Sequence, residues 1–162
     1  MPAMTPGPHA QRVLAGAVEE STQLDHPYVG TEHLLLALLR DSDGGAGAVL
    51  TALAVRRDAV QKMVMTMLEP GDATVPPWKG PRPYTSRAQQ VLTLAEQAAV
   101  ALGQTALGTE HLLLGLTAEG QGIGGQVLLV HGVSSARAHE ATVRWLRGGV
   151  AAPPLPPSSP AA

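Results

Sequence analysis

The chain contains no cysteine and no phenylalanine, and only two tryptophans and two tyrosines. Without thiols there is no disulfide framework and no thiolate metal site, and thiol usage gives no redox compartment. With so few rings, the core has to be built from Leu, Val, Ala and Met. That composition suits close helix–helix packing better than an aromatic-rich β-sandwich. Neither sign of charge dominates: 11 Lys and Arg stand against 13 Asp and Glu, a net charge of −2. No basic stripe runs along the chain, so the electrostatic footprint of a nucleic-acid binder is missing. No apolar run approaches the length of a bilayer span, and Met1 to Pro8 lacks the positive start and apolar stretch of a secretory signal. The expectation is a soluble, cytoplasmic protein that binds neither nucleic acid nor membrane.

What is present is a core's worth of apolar residues, 44% of 162, enough for one domain or two small, closely packed halves. The chain also repeats itself. Val29-Gly-Thr-Glu-His-Leu-Leu-Leu-Ala-Leu38 returns as Leu107-Gly-Thr-Glu-His-Leu-Leu-Leu-Gly-Leu116, with eight of ten positions identical. The offset is 78 residues, as from Gly30 to Gly108, and it also pairs Ala10-Gln11 with Ala88-Gln89, Val13-Leu14 with Val91-Leu92, and Val49-Leu50 with Val127-Leu128. No insertion is needed. The chain is a duplication.

Each copy reads as four helices. Ala10, Val13, Leu14, Ala17, Ser21 and Leu24 fall at helical spacing, as do Ala88, Val91, Leu92, Ala95, Ala99 and Leu102. A second helix begins at Thr31 or Thr109, where a hydroxyl suits an N-cap and the following Glu suits the positive end of the helix dipole. Its near-continuous leucines mark a buried central helix. Gly-rich turns, Asp43-Gly-Gly-Ala-Gly47 and Gly120-Gln-Gly-Ile-Gly-Gly125, lead into a short third helix. The fourth carries Val60, Met63, Val64, Met67 and Leu68, or Ala138, Ala141, Thr142, Trp145 and Leu146. Prolines punctuate the rest. The division is a flexible start at 1–8, a first repeat at 9–69, a Pro-rich linker at 70–84, a second repeat at 85–147 and a disordered Pro-rich tail at 148–162.

Two in-register copies of Ala-Gln-x-Val-Leu, then Gly-Thr-Glu-His-Leu-Leu-Leu, then a Gly turn, resemble the N-terminal repeat domain of Clp/Hsp100 unfoldases, the ClpC type above all. The resemblance covers His9 to Leu146. It implies an all-α, eight-helix bundle with a pseudo-two-fold axis, which in those proteins precedes ATPase modules and receives substrates and adaptors. No Gly-x-x-x-x-Gly-Lys-Ser/Thr phosphate loop exists in this sequence, so the implied molecule is a free-standing receptor without its motor.

ClpC-type domains carry a phosphoarginine pocket in each repeat, in which the motif Glu holds the guanidinium and a Thr at the start of the repeat's first helix helps to hold the phosphate. A carboxylate pairs with guanidinium in a bidentate fork, and a helix N-terminus presents donors to an anion. The resemblance assigns these roles to Glu110 and Thr85 in the second repeat. The first keeps Glu32 but has Gly7 in the Thr position, with Thr5 nearby. The surface of the first helices also binds cyclic-peptide antibiotics in actinobacterial relatives. Tyr84 stands at an aromatic position of that surface, with Gln89 on the same helix, whereas the first repeat has Pro6.

Plainer readings stand beside these. An acid in a first helical turn stabilises by about 0.3–1 kcal/mol whatever else it does. His33 and His111, one per copy and without His-Glu-x-x-His spacing, read as hydrogen-bonding residues rather than a zinc site. Met63 and Met67 lie on the core stripe, with Met65 pointing away, and Thr85 is an N-cap. No nucleophile, shifted carboxylate pair or cofactor motif points to an enzyme, a metal or a cofactor. Three functions remain: a receptor or adaptor working with Clp unfoldase and protease subunits or their substrates, a decoy that sequesters cyclic peptides, and a module that only docks on Clp subunits.

Overall fold

The computed structural model describes residues 4–68, 74 and 76–148. Among the described residues eight helices follow one another in the order α1 (Pro8–Gln23), α2 (Thr31–Arg40), α3 (Gly45–Ala52), α4 (Arg57–Met67), α5 (Ser86–Ala101), α6 (Thr109–Glu119), α7 (Ile123–Val130) and α8 (Ser135–Leu146). Each helix of the second set begins 78 residues after its counterpart, as Ser86 does after Pro8. The tail from residue 149 onward and most of the linker's first half lie outside the described residues.

The leucine-rich helices are central. Every residue of α2 from Thr31 to Leu39 is buried, and so is every residue of α6 from Thr109 to Thr117. Helix α1 lies along α2, and α5 along α6, with Ala10, Val13 and Ala17 or Ala88, Val91 and Ala95 as the contact stripe. The short helices cross over: α3 packs on α6 and α8, and α7 on α2 and α4. Each repeat therefore completes the other's core. The buried apolar residues form one cluster drawn from both halves, from Leu34 and Leu50 to Leu112 and Leu128.

Two sequence expectations change. Thr31 and Thr109 are the first helical residues, not N-caps; Gly30 and Gly108 hold the cap positions in extended conformation. Met67 is 44% exposed, because α4 ends there and Leu68 turns to extended backbone. Of the start at 1–8, the described residues 4–8 run against the second repeat. There the N–H of Gly7 donates to the Leu107 carbonyl at 2.8 Å, and the N–H of Leu107 to the Thr5 carbonyl at 3.0 Å. Linker residues are also tied back, with Arg82 Nε donating to the His26 carbonyl at 3.0 Å.

Two acidic niches at the seams between repeats

The four residues Gly-Thr-Glu-His each have a separate job. The His at the third helical position reaches back, and its Nδ1 accepts the cap-residue N–H at 2.8 Å, from Gly30 to His33 and from Gly108 to His111. The Thr hydroxyl caps a helix of the other repeat: Thr109 Oγ1 accepts the Ala46 N–H at 2.9 Å, and Thr31 Oγ1 the Gly124 N–H at 3.2 Å. The Glu carboxylate folds over the cap glycine so closely that a Cβ on Gly30 or Gly108 would run into it. Any other residue there would displace Glu32 or Glu110.

Two parallel bridges fix what faces each carboxylate: Val29 pairs with Tyr84, and Pro6 with Leu107. At the first seam the Thr85 N–H donates to the Val29 carbonyl at 2.9 Å, which sets the start of α5 beside the α2 motif. At the second, the Gly7–Leu107 bond sets the start of α1 beside the α6 motif. The resemblance pairs Thr85 with Glu110 inside one repeat. The structure exchanges them: Thr85 joins the seam of Glu32, and Gly7 the seam of Glu110. A cavity of about 400 Å³ at the second seam is lined by Gly7, Pro8, Asp43, Gly45, Glu110 and Trp145, among others.

Glu32 and Glu110 are each 7% exposed. The neighbouring imidazoles sit 3.7 Å away, His33 Nδ1 from Glu32 Oε1 and His111 Nε2 from Glu110 Oε1. Among the described residues neither carboxylate accepts a hydrogen bond. A family model described as the Clp repeat (R) N-terminal domain matches residues 6–131 and again 83–152. The chain belongs to this family. It is 39% identical over 137 residues to the negative regulator of genetic competence ClpC/MecB of Bacillus subtilis (strain 168), covering 85% of this chain and 16% of that protein. The chain thus spans 16% of the length of the curated relatives it matches. The Hsp104 N-terminal domain from Candida albicans superposes with a TM-score of 0.72 at 18% identity, over 91% of this chain and 94% of that one. The ClpV N-domain in complex with a VipB peptide does so at 0.68 and 19%, over 92% and 91%. These structural likenesses are of fold.

In this Clp N domain, Thr85 also caps α5, its Oγ1 accepting the Ala88 N–H at 3.1 Å, while Gly7 gives α1 no side-chain cap. Tyr84 is half-buried, and burial raises its phenol pKa. Gln89 is exposed, and its Nε2 donates to the Tyr84 carbonyl at 3.2 Å. A residue that sequence reasoning missed is His26. It is 5% exposed, stacks on Tyr28 with ring centroids 5.2 Å apart, and faces His33 Nε2 through its Nδ1 at 2.8 Å. The repeat hid it, because position 104 in the second copy is Gln. Burial first, and His26 second, lowers the His33 pKa from 6.5 to about 4. His111 is also lowered by burial, against the opposing pull of Glu110, and its Nε2 is buried without a hydrogen-bond partner among the described residues.

His26, Glu32 and His33 form the metal-type cluster found among the described residues, with one ligand atom of each within 4.8 Å of the others. Both nitrogens of His33 are already engaged, one by the Gly30 N–H and one by His26. No helix among the described residues is long and apolar enough to cross a membrane.

Proposed function

We propose that this Clp N domain is a non-catalytic receptor for charged side chains on protein substrates or adaptors, serving a Clp unfoldase and protease system. Phosphoarginine is its ligand at the Glu32–Thr85 seam. The observation that carries this is the state of the carboxylates: each residue is 7% exposed and accepts no hydrogen bond from the described residues, so its oxygens are left for an incoming donor. A guanidinium would supply two donors in the required fork. The Thr85 hydroxyl accepts from Ala88, which leaves its own proton to donate to a phosphate oxygen. The start of α5 contributes its partial positive charge.

Calorimetric titration with phosphoarginine tests this. Saturable binding is expected, weakened by Glu32→Ala and by Thr85→Val by roughly 10–100-fold each, the effect of losing one charge-assisted hydrogen bond. Absence of saturable binding at millimolar ligand would overturn it. Retained binding of a cyclic peptide, lost in Tyr84→Ala or Gln89→Ala, would then favour the decoy reading.

A further inference from the structure

The second seam has been rebuilt, and comparison with the first shows how. Position 45 is Gly where the other repeat has Ile123, and position 145 is Trp where the other has Met67. A Cβ on Gly45 would meet Cη2 and Cζ3 of Trp145 at 2.8 Å, and would also run into Glu110 Oε2. The carboxylate and the six-membered ring of the indole therefore converge over bare backbone. Trp145 is 40% exposed, while the Glu110 side chain is 10% exposed and has no hydrogen-bond partner among the described residues. Both line the cavity of about 400 Å³.

The opposite wall offers an anion fewer donors than its counterpart at the first seam. The first seam presents Thr85-Ser86 at the start of α5, whereas the second presents Gly7-Pro8 at the start of α1. Two hydroxyls are gone, and so is the backbone N–H at the first helical position, since proline has none. Asp43 adds a carboxylate to the lining, and a like charge raises the cost of bringing in an anion. His9, which also lines the cavity, sits 2.9 Å from Asp41. What remains suits a planar cation: a carboxylate to take the fork and an indole to take the face.

We propose that the Glu110 seam binds the side chain of an unmodified arginine, so that the two seams read different states of the same residue. This rests on the reading of the molecule as a receptor for charged side chains, but not on phosphoarginine binding at the first seam.

The test uses Trp78→Phe protein, which leaves Trp145 as the sole tryptophan. Trp78 is 47% exposed in the linker, so its loss spares the core. Titration with Nα-acetyl-arginine amide should change Trp145 fluorescence saturably in the millimolar range. Glu110→Gln should abolish the change, and Glu32→Ala should leave it intact. Phosphoarginine should not compete for it. In Gly7→Thr/Pro8→Ser protein, which restores the anion-binding start, phosphoarginine should begin to compete. A Cβ at Gly7 would meet only the Leu107 carbonyl at 3.6 Å, an ordinary contact. No saturable response to arginine amide, or phosphoarginine competing equally well in the Trp78→Phe background, overturns the proposal. Failure of phosphoarginine at the Glu32 seam with arginine amide still binding at Trp145 sinks the preceding assignment and leaves this one standing.

Discussion

His33 has one nitrogen accepting the Gly30 N–H and the other bonded to His26. The first bond requires an unprotonated Nδ1, so the cap of α2 exists only while the ring is neutral. Its pKa, lowered from 6.5 to about 4, translates into a stability change of definite sign. The unfolded chain takes up the proton near pH 6.5 and the folded one only near 4, so folding is fully stabilised above the upper value and loses stability as pH falls between them. The full loss is about 3 kcal/mol at 1.36 kcal/mol per unit. Urea midpoints should fall between pH 7 and pH 4, and the fall should be shallower in His33→Gln. An NMR titration should show the His33 imidazole unmoved down to pH 5. A His33 ring titrating at its ordinary value would refute this account. The Gly-Thr-Glu-His motif was legible in the sequence as a helix start. What each of its residues does was not, because the partner of His33 is a histidine from a loop and the partner of each Thr lies in the other repeat.

At the scale of elements, α3 and α7 depend on those threonines. Helix α3 opens Gly-Ala-Gly and α7 opens Ile-Gly-Gly, sequences with weak helix propensity. Neither receives a cap from its own Gly44 or Gly122. The hydroxyls of Thr109 and Thr31 act in place of a cap, each accepting an N–H in the first turn. The sequence placed a hydroxyl at a helix start and assigned it to the nearest helix; spacing alone does not say which helix it serves. Thr109→Val keeps the shape and removes the acceptor, leaving the Ala46 N–H buried and unpaired. The expected cost is about 1–2 kcal/mol, with faster hydrogen exchange at Ala46, while Thr109→Ser stays near the parent. Equal stability of the valine and serine variants would show that the bond contributes nothing.

For the whole molecule, the duplication told which residues are equivalent, and the eight-helix fold followed from it. It did not tell whether equivalent residues meet within a repeat or between repeats. The first two helices of each repeat pack on each other, but the short third helices and the bridges reach across, reciprocally, as in an isologous dimer fused into one chain: α3 on α6 and α8, α7 on α2 and α4, Tyr84 on Val29 and Pro6 on Leu107. For that reason the pairing of Thr85 with Glu110, natural along the chain, gives way to two mixed seams. The same exchange predicts how the protein unfolds. Taking one repeat away strips α2 of α7 and α6 of α3, exposing leucine-lined faces that half a core of this size does not offset. Residues 4–68 or 74–148 expressed alone should lack a cooperative transition, and mixing the two should restore helicity. In full-length Trp78→Phe protein, far-UV circular dichroism and Trp145 fluorescence should give coincident midpoints, since Trp145 belongs to α8 and reports on α3 across the seam. Two separate transitions, or one half folding by itself, would mean that each repeat holds its own core and that the seams are docking surfaces. A ligand bound at a seam would then act by bringing two bodies together. In the fused arrangement it binds a site that is already formed, and stabilises the whole chain by mass action alone.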